Sequence, residues 1–136
     1  VLSTTEVHAL QAAAVAVRQN AYAPHSGFAV GAALVTSDDR VFVGTNVEND
    51  SYGLSLCAER AAIAAAVAAG CRHIRALLVI GPGDQPVPPC GACRQWIAQF
   101  GSGSCEVLYG CVAGEVKRTT LAALLPEAFT LAREER

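Results

Sequence analysis

CAERAAIAAAVAAGCRHIRALLVI, residues 57–80, is the stretch on which the fold turns. Cys57 to Ala69 is an alanine-rich run of helical length, Gly70 stands where such a helix stops, and Ile74 to Ile80 is a short continuous apolar run, as expected of a central strand. A helix leading directly into a buried strand is the building unit of an α/β domain. After Arg60 the helix is apolar all round, so it is expected to lie buried between layers or against another subunit.

The flanks extend the same alternation. On the N-terminal side, Ser3-Thr4-Thr5-Glu6 has the form of a capping box, and Val7, Leu10, Ala14, Val17 and Ala21 recur at steps of three and four, the period of an amphipathic helix. Tyr22 to Gly27, with Pro24, reads as a turn; Val30–Thr36 and Val41–Val47 read as strands joined in a hairpin at Ser37-Asp38-Asp39. Glu48 to Ser55 is a loop. On the C-terminal side, the Gly81–Pro89 loop precedes a helix over Cys90–Phe100, which Gly101–Ser104 ends. Cys105–Tyr109 and Glu115–Thr119 form a second antiparallel hairpin around Gly110–Gly114, and Leu121–Leu125 makes a last short helix before Pro126. The order α-β-β-α-β-α-β-β-α predicts one α/β domain over residues 1–136, a mixed sheet with helices on both faces.

Composition narrows the class. With 136 residues, 52% of them hydrophobic and 16% charged, the chain has material for a core without disulfide staples, although it carries 6 cysteines. Cys71, Cys105 and Cys111 are expected to pack as small buried hydrophobes near strand ends. The apolar runs fall well short of the ~20 residues that span a bilayer, and no secretory signal is visible, so a soluble, cytoplasmic protein is expected. A net charge of −2 argues against a nucleic-acid partner and for a small-molecule substrate.

The remaining cysteines carry the chemistry. Cys57-Ala58-Glu59 opens one helix and Pro89-Cys90-Gly91-Ala92-Cys93 opens another. Zinc favours a tetrahedral set of thiolate and imidazole ligands, and a catalytic site supplies three from the protein and leaves the fourth position to water. Cys57, Cys90 and Cys93 fit that count, and helix N-termini favour thiolates. Glu59 is too close to Cys57 along the chain to add a ligand easily, but it can reach a water at the fourth position as a general base. A structural zinc module, closed by His73 or Cys71, is the rival reading. It leaves Glu59, Asn46 and Glu48 without a task.

The spacing resembles the zinc deaminase signature, with cysteine in place of the usual histidine ligand. Tyr22-Ala23-Pro24 with Ser26 and Phe28, Val30-Gly31-Ala32-Ala33, Asn46-Val47-Glu48-Asn49, Cys57-Ala58-Glu59-Arg60, Cys90-Gly91-Ala92-Cys93-Arg94-Gln95, and Leu124-Leu125-Pro126 with Phe129 together are similar to the small cytidine deaminases of pyrimidine nucleoside salvage. The resemblance implies a three-layer αβα cytidine-deaminase-like fold on a five-stranded mixed sheet. It implies hydrolysis of cytidine and 2′-deoxycytidine to uridine and 2′-deoxyuridine with release of ammonia, using one Zn²⁺ per chain. By the same resemblance Cys57, Cys90 and Cys93 hold the metal, Glu59 carries protons to N3 and then to the departing amino group, and Arg60 and Gln95 stand behind the ligands. Phe28 packs on the pyrimidine, Asn46 and Glu48 bind the ribose 3′-hydroxyl, and Ala58 also touches substrate. Asp50, Tyr52 and Phe129 reach substrate across subunits of a homotetramer with shared sites. His25 and Asp50 depart from the family's usual tyrosine and small residue.

Overall fold

A computed structural model of the chain describes residues 1–131. Helix α1 spans Thr4–Arg18 and starts as the sequence predicts: the Ser3 hydroxyl accepts the Glu6 N–H, and the Glu6 carboxylate accepts the Ser3 N–H at 3.0 Å. Strands β1 (Gly31–Thr36) and β2 (Val41–Thr45) form the first hairpin, with Asp39 at φ 65° in its turn. Val47, expected to end β2, makes only isolated bridges to Tyr22 and Leu56. Within the following loop Tyr52–Leu54 forms a single 3-10 turn.

Helix α2 is Ala58–Ala68 and β3 is Ile74–Gly81. The stop between them is a Schellman motif: Gly70 at φ 91° donates to Val67, and Cys71 donates to Ala66 at 2.9 Å, so the last helical carbonyls are satisfied. Helix α3 (Gly91–Phe100), strand β4 (Gly101–Cys111), strand β5 (Lys117–Thr120) and the short α4 (Leu121–Leu124) complete the order.

One boundary departs from the sequence reading. Gly101–Ser104 was expected to end α3 as a loop, but β4 begins at Gly101. The chain turns straight from helix to strand because Gly101 is already extended at φ −117° and ψ 155°, and it pairs with Ile74. The register then slips, so that Ala76 pairs with Glu106, and residues 102–105 bulge from the ladder.

The sheet order is β2-β1-β3-β4-β5, with β3 and β4 parallel and every other pair antiparallel. β3 is the central strand, as its unbroken apolar run predicts. Side chains alternate across it and across β1, which is buried on both faces. Ala32, Leu34, Leu77 and Val79 face Ala62 and Ile63 of α2 and Ile97 of α3; Ala33, Val35, Leu78 and Ile80 face Leu10 and Ala14 of α1. Thus α1 covers one face of the sheet, and α2, α3 and α4 cover the other. Full burial of one side chain such as Ile63 stabilises the fold by about 1.5–3 kcal/mol. Ala64, Ala65 and Ala68 of α2 point away from the sheet and are exposed, so the sheet buries only one side of that helix. Trp96 on α3 is 38% exposed. Cys71, Cys105 and Cys111 are buried, and all six cysteines are free thiols.

Candidate metal centre and active site

The parallel β3–β4 pair forces a crossover, and α3 makes it. Its N-terminus consequently lies at the C-terminal end of β3, beside the start of α2. Cys57 is the residue before α2 and Cys90 the residue before α3; both have extended backbone, and neither side chain caps its helix. Cys93 follows one turn into α3. The sulfurs of Cys57, Cys90 and Cys93 all lie within 4.8 Å of one another. That spacing suits three donors around one tetrahedral ion, and soft thiolates suit zinc. No other such group occurs among the described residues, and neither His73 nor Cys71 joins this one. The rival closed module therefore lacks its fourth ligand.

The thiols are poised for metal. Cys57 is lowered to about 5, principally by the hydrogen bond with Cys93 and then by Arg60, whose guanidinium donates to the Cys57 sulfur at 3.3 Å. Cys93 is pushed up by the same bond and by burial. A cation among these sulfurs would take the place of their protons. A second Arg60 hydrogen bond goes to the Ser55 carbonyl, and its buried Nε has no partner among the described residues. Arg94 secures the other ligand loop by donating to Pro89 O at 2.7 Å and to Leu124 O at 3.0 Å.

Glu59 sits in the first turn of α2 and is 5% exposed. Burial raises its carboxyl above the ordinary range, while its own backbone N–H and Cys93 offset this in part. It lines, with Cys57, Cys90 and Ala58, a cavity of about 270 Å³. Phe28 and Val79 are among the apolar residues of its wall, and Asn46 and Glu48 among the polar ones. The volume is near the lower end of small-molecule sites, ~300–1,000 Å³. A larger concavity of about 590 Å³ lies elsewhere, against Leu2, Arg75 and Arg118. Its charges are already paired, Arg75 with Glu6 and Asp39, Arg118 with Glu106. None of the metal ligands reaches it.

The structure therefore gathers Phe28, Asn46, Glu48, Ala58, Glu59, Cys57 and Cys90 around one cavity. Asn46 spends its amide on the cavity wall, donating to Phe28 O at 2.7 Å and accepting from Val30 N at 2.9 Å. Glu48 accepts from the backbone N–H groups of His25 and Ser26 and from the Ser26 hydroxyl, and that hydroxyl holds its carboxyl below the usual range. Ser26 belongs to the Tyr22–Phe28 motif but had no role in the sequence reading; its partner is 22 residues away, so the local pattern does not give it one. Asp50, Tyr52 and Phe129 lie outside this cavity, and Gln95 donates to Phe129 O at 3.0 Å. The two residues that depart from the family pattern meet each other. His25 Nε2 is 3.1 Å from Asp50 Oδ1, and the His25 ring stands edge-on to Tyr52.

Comparison with known proteins points the same way. The family model of the cytidine and deoxycytidylate deaminase zinc-binding region matches residues 4–111. The chain is 45% identical to the cytidine deaminase of Sporosarcina psychrophila over 125 residues, 92% of each chain. Its fold is similar to the crystal structure of cytidine deaminase from Burkholderia pseudomallei, with a TM-score of 0.87, 49% identity, and coverage of 94% of this chain and 100% of that one. It is also similar to the enzyme from Mycobacterium tuberculosis, with a TM-score of 0.78, 37% identity, and coverage of 93% and 98%. With the family model matched over residues 4–111 and relatives at 45–49% identity covered almost end to end, the chain belongs to the family of zinc-binding cytidine and deoxycytidylate deaminases.

Proposed function

We propose that this chain catalyses zinc-dependent hydrolytic deamination of cytidine and 2′-deoxycytidine, yielding uridine or 2′-deoxyuridine and ammonia. The observation that carries the reading is the buried Glu59 carboxyl beside three convergent sulfurs at one small cavity. Cys57, Cys90 and Cys93 would hold the metal. When bound, zinc supplies Lewis acidity that brings water ionisation toward pH ~7. Glu59 accepts the proton released from water, delivers it to N3 of the pyrimidine, and carries a second proton to the amino group as the C4–N bond breaks. Oxygen from water stays on C4, so cytidine and water become uridine and ammonia. Arg60 donates to the Cys57 sulfur and offsets the negative charge that three thiolates bring to one dication.

The rest of the cavity serves recognition. Phe28 would offer an aromatic face to the base and Ala58 its backbone, and Glu48 and Asn46, which line the same cavity, would meet a sugar hydroxyl. We infer a homotetramer in which Asp50, Tyr52 and Phe129 act at a neighbouring subunit's site. The 75% exposure of Tyr52 and 70% exposure of Phe129, with the outward alanines of α2, support such covered surfaces. Residues 1–136 are read as a single domain; 132–136 lie outside the described residues. The free state of all six cysteines supports a reducing compartment, and with it a cytoplasmic role in pyrimidine salvage. Among the described residues no helix is long and apolar enough to cross a membrane.

The test is ammonia release from both nucleosides, with zinc assayed on the same sample. The wild-type chain should carry about one zinc and release ammonia, and Glu59→Gln should keep the metal while losing about 10²- to 10⁴-fold in kcat. Zinc without ammonia from either nucleoside would overturn the reading, and full activity in Glu59→Gln would remove the proton carrier.

A further inference from the structure

The Ser26 hydroxyl joins two cavity walls that belong to different segments of the chain. It donates to Glu48 Oε2 and accepts the Phe28 N–H at 2.9 Å. On the opposite side of the same residue, the Phe28 carbonyl accepts from Asn46 Nδ2 at 2.7 Å. Phe28 is thus held at both its backbone groups, although its side chain is 43% exposed and sits near the Gly81 end of β3. The carboxylate is equally constrained. A carboxylate has about four acceptor sites, and three donors from residues 25 and 26 already occupy Glu48: the His25 N–H at 2.8 Å, the Ser26 N–H at 3.1 Å and the Ser26 hydroxyl. The remaining acceptor capacity belongs to Oε2, the oxygen that Ser26 orients.

We propose that Ser26 is a positioning residue for substrate binding, whose hydroxyl locks the Glu48 carboxylate and the Phe28 backbone into one rigid wall. This rests on the reading of the cavity as a nucleoside site. A hydrogen bond to a charged group is roughly twice as strong as a neutral one. Without it the Glu48 carboxylate keeps its charge and its two backbone donors but loses a fixed direction, and the Phe28 N–H loses its acceptor. Binding suffers through misplacement, while Glu59 and the metal ligands, on other elements, remain as they are.

The experiment combines Ser26→Ala, Ser26→Thr, Glu48→Ala and the double variant Ser26→Ala/Glu48→Ala, each with zinc content and melting temperature measured. Ser26→Ala should raise KM for cytidine about tenfold with kcat changed less than about threefold and zinc retained. Threonine, which keeps the hydroxyl, should recover most of that loss. In the Glu48→Ala background the same Ser26→Ala change should cost about threefold at most, the part that runs through Phe28, because the rest of its effect runs through Glu48. An equal cost in both backgrounds, or a fall in kcat at unchanged KM, would overturn the proposal. Should the alanine variant fail to fold, Ser26→Cys takes its place in the same comparison. Amide exchange at Phe28, read by NMR without substrate, separates the two readings: it should accelerate about tenfold in Ser26→Ala and not in Ser26→Thr. If wild type releases no ammonia from cytidine, the proposed reaction fails, and an unchanged Phe28 exchange rate would then sink the Ser26 proposal independently.

Discussion

Helix α1 starts on a serine that caps it, while α2 and α3 start on cysteines that do not. In α1 the Ser3 side chain accepts the Glu6 N–H and the Glu6 side chain accepts the Ser3 N–H, so two donors of the first turn are satisfied locally. At Cys57 and Cys90 the sulfur is a weak acceptor and no side chain caps the turn. The uncapped N–H groups leave their positive field directed at the sulfurs, which favours thiolate and, through it, metal. The same structural position has been given to stability in one helix and to chemistry in two. Helices α1 and α2 are nevertheless seated by the same device, a glycine on the strand beneath. A Cβ on Gly31 would lie 2.1 Å from Ala14 O of α1, and one on Gly44 would lie 2.4 Å from Ala62 N and 2.6 Å from Ala58 O of α2.

The sharpest way to break this contrast is to put a serine where α3 has its cysteine. Cys90→Ser should abolish turnover and take zinc from about one per chain to nearly none, as measured by metal analysis. Compared with chelator-stripped wild type, the same variant should unfold at equal or higher denaturant concentration, because its N-cap gains about 0.5–1 kcal/mol. Retained zinc would remove Cys90 from the ligand set. Next in size are the two glycine seats. Gly44→Ala and Gly31→Ala should each destabilise by about 1–3 kcal/mol in denaturant unfolding. Only Gly44→Ala, which shifts the start of α2, should also speed zinc loss to a chelator; equal zinc loss in both would show that the two seats are not functionally distinct. The smallest effect belongs to Ser3→Ala, about 1 kcal/mol in unfolding, with zinc content and ammonia release unchanged.

The contrast also accounts for what the sequence makes legible. Ser3 and Glu6 are three residues apart, Gly70 follows its helix directly, and Cys90 and Cys93 share one turn; such short-range patterns carry their own geometry. The same holds for the zinc triad, whose two halves are each local and come together because β3 and β4 are parallel. The start of β4 was not legible, since Gly101 pairs with Ile74 through a bulge that no propensity at Gly101–Ser104 announces. The exposure of Trp96 is not legible either, since a large apolar side chain on a helix does not by itself show which face meets the sheet. Ser26 stands in the Tyr22–Phe28 motif without a task, for the most general reason: its hydroxyl serves a carboxylate 22 residues on, so only the tertiary fold brings the two together.

The sulfurs of Cys90 and Cys93 lie 3.6 Å apart, and Cys90 is exposed. Oxidation would draw such a pair to about 2.05 Å and take two of the three donors from the site in a single event. Metal and oxidant would thus compete for the same atoms, and bound zinc would shield them from air. A preparation stripped by chelator without a thiol reductant would lose its capacity to be reloaded, and its inactivity would reflect the history of the sample and not the competence of the fold.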